Sequence, residues 1–128
     1  MVAGGAVAAA GTSSGPHATH VLVDLWGIEA AVLRDVVRIE ALMHEAAAAA
    51  QARVLAAHFH RFGGEGGVTG VLLLAESHLS IHTWPEVGLA AVDAFMCGEA
   101  RAEVAIEWLR AALGGQARSH TAVRRGAQ

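Results

Sequence analysis

The sequence predicts an α+β fold, a two-layer sandwich in which an antiparallel sheet carries two helices on one face. Two observations point there. Apolar residues recur at helical spacing in one segment near the start and one near the end, and four strand-like apolar runs follow one another between them. The order that results is β-α-β-β-β-β-α-β.

His20–Trp26 reads as the first strand. After Gly27, the positions Ile28, Val32, Val36, Ile39, Met43 and Ala47 form one helical stripe that runs to Ala50. Val54–Phe62 is the second strand, and the loop Gly63-Gly64-Glu65-Gly66-Gly67 ends it. Val68–Leu74 is the third, with few polar positions; His78–Trp84 is the fourth, closed by Pro85; Leu89–Cys97 is the fifth. Glu99–Leu113 is the second amphipathic helix, with Ala102, Ala105, Trp108, Leu109 and Ala112 facing inward and Gly114-Gly115 closing it. A weak last strand covers Arg118–Val123.

A two-layer sheet leaves its other face uncovered. Along the fourth strand His78, Ser80, His82 and Trp84 share one face, and Ser77, Leu79, Ile81 and Thr83 share the other. Self-association through the bare face would bury it, although alternation alone equally allows these side chains to pack within one chain.

At 128 residues the chain is one domain, large enough for a real core. Residues 1 to 18, rich in Ala, Gly, Ser and Thr with no positive charge before Arg34, read as a disordered tail rather than a secretory signal, leaving 19–128 as the folded domain. The net charge of -3 argues against a nucleic-acid or membrane-surface role. No apolar run approaches the roughly 20 residues of a membrane span. The single cysteine excludes an internal disulfide and points to a reducing compartment, hence a cytoplasmic protein. All nine basic residues are arginines, so a pyridoxal phosphate enzyme would lack its anchoring lysine.

The stretch Ala75-Glu76-Ser77-His78-Leu79-Ser80-Ile81-His82-Thr83-Trp84-Pro85-Glu86 places a Glu-Ser bond and a histidine in a strand ended by proline, and Ala91-Val92-Asp93-Ala94-Phe95-Met96-Cys97-Gly98 follows it. The first resembles the self-cleavage segment of the bacterial pyruvoyl-dependent S-adenosylmethionine decarboxylases, and the second is similar to that family's other motif. The resemblance implies that Ser77 attacks the carbonyl of Glu76. The chain would then part into 1–76, the β chain, and 77–128, the α chain, which begins with a pyruvoyl group made from Ser77.

It assigns processing roles to His82 and to Thr69, where relatives often carry serine, and makes Cys97 the general acid that returns a proton to the substrate carbon. Phe62 and Trp84 match positions near the adenosyl group, and Glu86 matches an acid suited to the ribose hydroxyls. The cofactor would be the self-made pyruvoyl group, with neither pyridoxal phosphate nor a metal, and the product an aminopropyl donor for spermidine synthesis. The resemblance also implies a dimer of processed protomers with active sites near the interface. The loop between Phe62 and Thr69 is one residue longer than in some relatives, and the chain has no tyrosine.

Two other readings compete. A pyruvoyl enzyme acting on arginine or ornithine would use the same chemistry in a different pocket; such a substrate needs acidic partners for its distal cation, whereas Trp84, Glu86 and Phe62 suit an adenosyl group. A metal-binding protein would gather His58, His60, His78 and His82 around a divalent ion.

Overall fold

The computed structural model describes residues 17–98 and 100–126. The elements are β1 (Ala18–Trp26), α1 (Ala30–Leu33), α2 (Val36–Ala49), β2 (Val54–Arg61), β3 (Val68–Leu74), β4 (Ser77–Trp84), β5 (Leu89–Cys97), α3 (Ala102–Leu113) and β6 (Gln116–Arg125). The six strands form one antiparallel sheet in the order β2-β3-β4-β5-β1-β6. Of the expected N-terminal tail, residues 1–16 lie outside the described residues, and Ala18 already pairs with Cys97 and Arg125.

Alternation decides which side of each strand meets the helices. Val21, Val23 and Leu25 of β1, Leu72 of β3, Leu79 and Ile81 of β4, and Val92, Ala94 and Met96 of β5 are buried on one face. Against them pack Ile39, Met43, Ala46 and Ala47 of α2 and Ala105, Ile106, Leu109 and Leu113 of α3. The stripe on α3 differs from the expected one. Ile106 and Leu113 are buried, while Trp108 and Ala112 are only partly so, because a straight 3.6-residue period centred on Ala105 and Leu109 passes through 102, 106 and 113. Glu99, the expected start of that helix, lies outside the described residues. Gly114, at φ 77°, supplies the left-handed residue that ends it.

The single helix expected between Ile28 and Ala50 is two. Asp35 breaks it, because its carboxylate accepts the backbone N–H of Arg38 at 3.1 Å and so starts α2 afresh. The carbonyl of Leu33, which loses its helical partner at the break, accepts the Thr83 hydroxyl at 2.8 Å. That same Thr83 oxygen accepts the N–H of Val68 at 2.8 Å, so this buried polar side chain is fully used in locking α1 to β3 and β4. Gly67 lies against this junction, and a Cβ there would meet the Thr83 carbonyl oxygen at 2.1 Å.

The last strand runs from Gln116 to Arg125, longer than its sequence suggested, and every residue in it is exposed. It is an edge strand whose alternation has no second layer to answer to, which is why its pattern is weak. The other face of the sheet carries His20, Leu22 and Asp24, Thr69, Val71 and Leu73, His78, Ser80, His82 and Trp84, and Ala91, Asp93, Phe95 and Cys97. Of these, the family resemblance assigns roles to Thr69, His82, Trp84 and Cys97, while Ser77 belongs by alternation to the opposite face of β4.

Candidate active site

Strands β3 and β4 are joined by a two-residue hairpin, with Leu74 paired to Ser77 and Ala75-Glu76 at the tip. Glu76 has φ 60°, a left-handed conformation that costs a side-chain-bearing residue roughly 1–2 kcal/mol. The Glu76–Ser77 bond therefore lies at the strained position of a tight turn. The Ser77 hydroxyl donates to the carbonyl of Ala75 at 3.1 Å.

Across from this turn is the last residue of β5. The Cys97 thiol donates to the carbonyl oxygen of Glu76 at 3.0 Å. Burial, and then the neighbouring Glu76 carboxylate, push the Cys97 pKa up from its ordinary value, so the sulfur keeps its proton. A protonated thiol on that oxygen stabilises the negative charge that develops when a nucleophile adds to the Glu76 carbonyl carbon.

A second group of expected residues meets at the other end of the sheet. Thr69 and His82 are paired across β3 and β4, and the Thr69 hydroxyl lies 3.1 Å from His82 Nδ1. Phe62, Thr69, His82, Trp84 and Glu86 line one cavity of about 350 Å³, and the Trp84 ring stands 6.4 Å from the His82 ring. Aromatic faces, a carboxylate, a hydroxyl and an imidazole are thereby brought into one space. Phe62 and Trp84 are half exposed.

The two groups do not meet within one chain. Ser77 and His82 are five positions apart on β4, which at 3.2–3.4 Å per residue is about 16 Å. The expected residues fall into two groups: Glu76, Ser77 and Cys97 at one end of β4, and Thr69, His82, Phe62, Trp84 and Glu86 at the other.

Between them lies a network that the sequence did not single out. The Asp93 carboxylate accepts His20 Nε2 at 2.6 Å, His78 Nε2 at 2.8 Å and the Ser80 hydroxyl. Burial works to raise the Asp93 pKa, but the hydrogen bonds from Ser80, His20 and His78 together hold it below its ordinary value. Phe95 lies between the two imidazoles, at ring distances of 5.3 Å from His20 and 5.8 Å from His78, with the Arg125 guanidinium 4.9 Å above it. His20 is 73 residues from Asp93, so only the pairing of β1 with β5 could reveal the contact.

The four imidazoles weighed as a metal set do not converge. His58, His60 and His82 line a cleft of about 690 Å³ at the β2 side of the sheet, while His78 turns towards Asp93. Among the described residues the group with ligand atoms close together is His20, His78 and Asp93, all within 4.8 Å. Arg125 Nη1 donates to His20 Nδ1 at 3.4 Å, so His20 Nε2 bears the proton that Asp93 accepts, an arrangement for hydrogen bonding rather than ligation.

Residues 19–126 match the family model described as S-adenosylmethionine decarboxylase. A relative from Symbiobacterium thermophilum, named S-adenosylmethionine decarboxylase proenzyme, is 45% identical over 111 residues, covering 86% of this chain and 83% of the relative. One of the same name from Acetivibrio thermocellus is 50% identical over 80 residues, 62% of this chain and 64% of the relative. The crystal structure of the adenosylmethionine decarboxylase from Aquifex aeolicus superposes with a TM-score of 0.79 and 34% identity, covering 90% of this chain and 95% of that one.

Proposed function

The chain belongs to the S-adenosylmethionine decarboxylase family, and from that premise we propose that it removes the carboxylate of S-adenosylmethionine as carbon dioxide, using a pyruvoyl group that it makes from its own Ser77. The product would be an aminopropyl donor for polyamine synthesis. The observation that carries this reading is the Cys97 thiol on the Glu76 carbonyl, at a hairpin whose next residue is a serine.

Processing begins when Ser77 Oγ adds to the Glu76 carbonyl carbon. The oxyanion takes its hydrogen bond from Cys97, the Glu76–Ser77 C–N bond breaks, and an ester with a free Ser77 amine results. A base then removes the Ser77 Cα proton and the Ser77 Cβ–Oγ bond breaks, the oxygen leaving with the Glu76 carboxylate and a dehydroalanine remaining at position 77. Water hydrolyses the imine tautomer of that residue and ammonia leaves, so position 77 ends as a pyruvoyl group. His82 is the base and the Thr69 hydroxyl, hydrogen-bonded to it, orients it.

The residues present fit that group: Ser77 supplies its atoms and Cys97 stands beside it. The pyruvoyl group supplies a ketone for the substrate amine and an electron sink for the electron pair that carbon dioxide leaves behind. Cys97, protonated because its pKa is raised, returns a proton to the substrate Cα. Phe62 and Trp84 take the adenine and the sulfonium on their ring faces, and Glu86 takes the ribose hydroxyls.

Because the two groups are about 16 Å apart on one strand, the working site is built from two chains. Packing the bare sheet faces together about a two-fold axis, with the β4 strands running in opposite directions, brings the Ser77 end of each chain to the His82 end of the other. This buries Leu22, Leu73 and Trp84, which are otherwise exposed at 41%, 45% and 42%. Among the described residues no helix is long and apolar enough to cross a membrane, and a lone thiol that must stay reduced fits the cytoplasm.

The experiment is to incubate purified protein separately with carboxyl-labelled S-adenosylmethionine, arginine and ornithine and trap the released carbon dioxide. Release from S-adenosylmethionine alone is expected, and release from arginine or ornithine would overturn the substrate assignment.

A further inference from the structure

We propose that Asp93, acting through His78, is a positioning residue that keeps residue 77 in place once the chain has been cut; this rests on the reading of Ser77 given above. Before cleavage residue 77 is held on both sides, by the hairpin turn that precedes it and by strand β4 that follows. Cleavage frees the first side. Residue 77 then becomes the end of a strand, and strand ends without a covalent or packed anchor fray.

After the cut residue 77 keeps its ladder pairing with Leu74 on one side only, and the side chain of His78, the next residue, is the nearest side-chain anchor for the new end. It points to the bare face, where its side chain is 35% exposed and no helix packs on it. What holds it is Asp93, at 2.8 Å from Nε2, on the neighbouring strand β5. Asp93 is itself fixed by His20 from β1 at 2.6 Å and by Ser80 from β4, and His20 is closed on its other nitrogen by Arg125 from β6. The network thus ties the start of β4 to three other strands. Both oxygens of Asp93 are used, one by His20 and His78 and the other by Ser80, and no buried side-chain nitrogen or oxygen among the described residues lacks a partner.

The same three groups would otherwise be candidates for a cation, but Arg125 on His20 Nδ1 leaves His20 Nε2 protonated and turned to the carboxylate. A hydrogen-bonded clamp is the arrangement these contacts favour. Its consequence separates two stages of one enzyme: the uncut chain does not need it and the cut chain does.

Asp93→Asn keeps the shape of the side chain and removes the charge and one acceptor. It should cleave itself at a rate within about twofold of the unaltered protein, while kcat falls about 10- to 100-fold with little change in KM, the expected cost of a reacting group misplaced by about 1 Å. His78→Leu should behave alike. His78→Gln, whose amide N–H can stand where Nε2 stands, should recover turnover to within about threefold of the unaltered protein. Hydrogen exchange at the amides of residues 78–80 should be faster in cut Asp93→Asn than in the cut unaltered protein, yet equal in uncut Ser77→Ala and uncut Ser77→Ala/Asp93→Asn.

Unchanged kcat in both Asp93→Asn and His78→Leu would overturn the proposal, as would faster exchange in the uncut double variant, which would make Asp93 an ordinary structural residue. Failure of the unaltered protein to cut itself or to release carbon dioxide would instead overturn the reading of Ser77.

Discussion

If each working site takes Ser77 and Cys97 from one chain and His82 and Thr69 from another, two inactive chains can restore each other. Ser77→Ala cannot cut itself because it has no hydroxyl, and His82→Ala lacks the base, whose loss costs on the order of 100- to 10,000-fold. The structure sets the magnitude. The about 16 Å between positions 77 and 82 on β4 is several times the roughly 3 Å reach of a proton transfer, so neither chain can repair itself. Mixed by co-expression, random pairing makes about half the dimers mixed, and each mixed dimer holds one complete site of its two, so about one quarter of the normal number of working sites should appear. Carrying a different tag on each chain, mass spectrometry should find the His82→Ala chain cut and the Ser77→Ala chain whole. Decarboxylation should rise to about one quarter of the unaltered rate, against a background on the order of 100-fold lower for either variant alone. Neither chain being cut in the mixture would refute the two-chain site.

Cys97→Ala should still cut itself, more slowly, because it loses the thiol that donates to the Glu76 oxygen; turnover should suffer more than cleavage, and a processed variant keeping more than about a tenth of the normal rate would remove Cys97 as the main acid. Since burial and the Glu76 carboxylate raise its pKa, the thiol stays protonated to higher pH than an ordinary cysteine, which titrates near about 8.5; alkylation by iodoacetamide in the uncut Ser77→Ala protein should therefore be slower at that pH than for a model thiol, and equal rates would contradict the assignment. Gly70→Ala should lower stability by about 1–3 kcal/mol, read as a drop in melting temperature in the Ser77→Ala background, because its Cβ would lie 2.1 Å from the Phe59 ring; Phe59→Leu in the same chain should recover part of the loss.

Much of the fold was legible because the punctuation is local. Val68–Leu74 and Leu89–Cys97 are bounded by a glycine loop, a turn and a glycine, and both strands run over those residues. The break at Asp35 was hidden because Val32 and Val36 keep the helical spacing across it, and the group that makes the break tolerable, Thr83, comes from 50 residues away. The site followed the same division. Phe62, Thr69, His82, Trp84 and Glu86 could be named from the family resemblance, and they share a cavity because β2, β3 and β4 pair so that Arg61 lies beside Val68 and Thr69 beside His82. The His20–Asp93 contact depends on β1 lying beside β5, and no local pattern announces it. The separation of His82 from Ser77 was available from strand rise alone.

The central claim is that this chain cuts itself between Glu76 and Ser77 and keeps the result as its cofactor. Denaturing mass spectrometry of the mature protein tests it most directly. Two species are expected, residues 1–76 ending in a free carboxylate and residues 77–128 beginning with a pyruvoyl group and lacking a free amine, the latter gaining the mass of two hydrogens (about 2 Da) when borohydride reduces its ketone to an alcohol. Ser77→Ala should give one species. An unaltered protein that remains a single intact chain after long incubation at neutral pH, or a cut chain whose second fragment begins with an ordinary serine amine, would contradict the account.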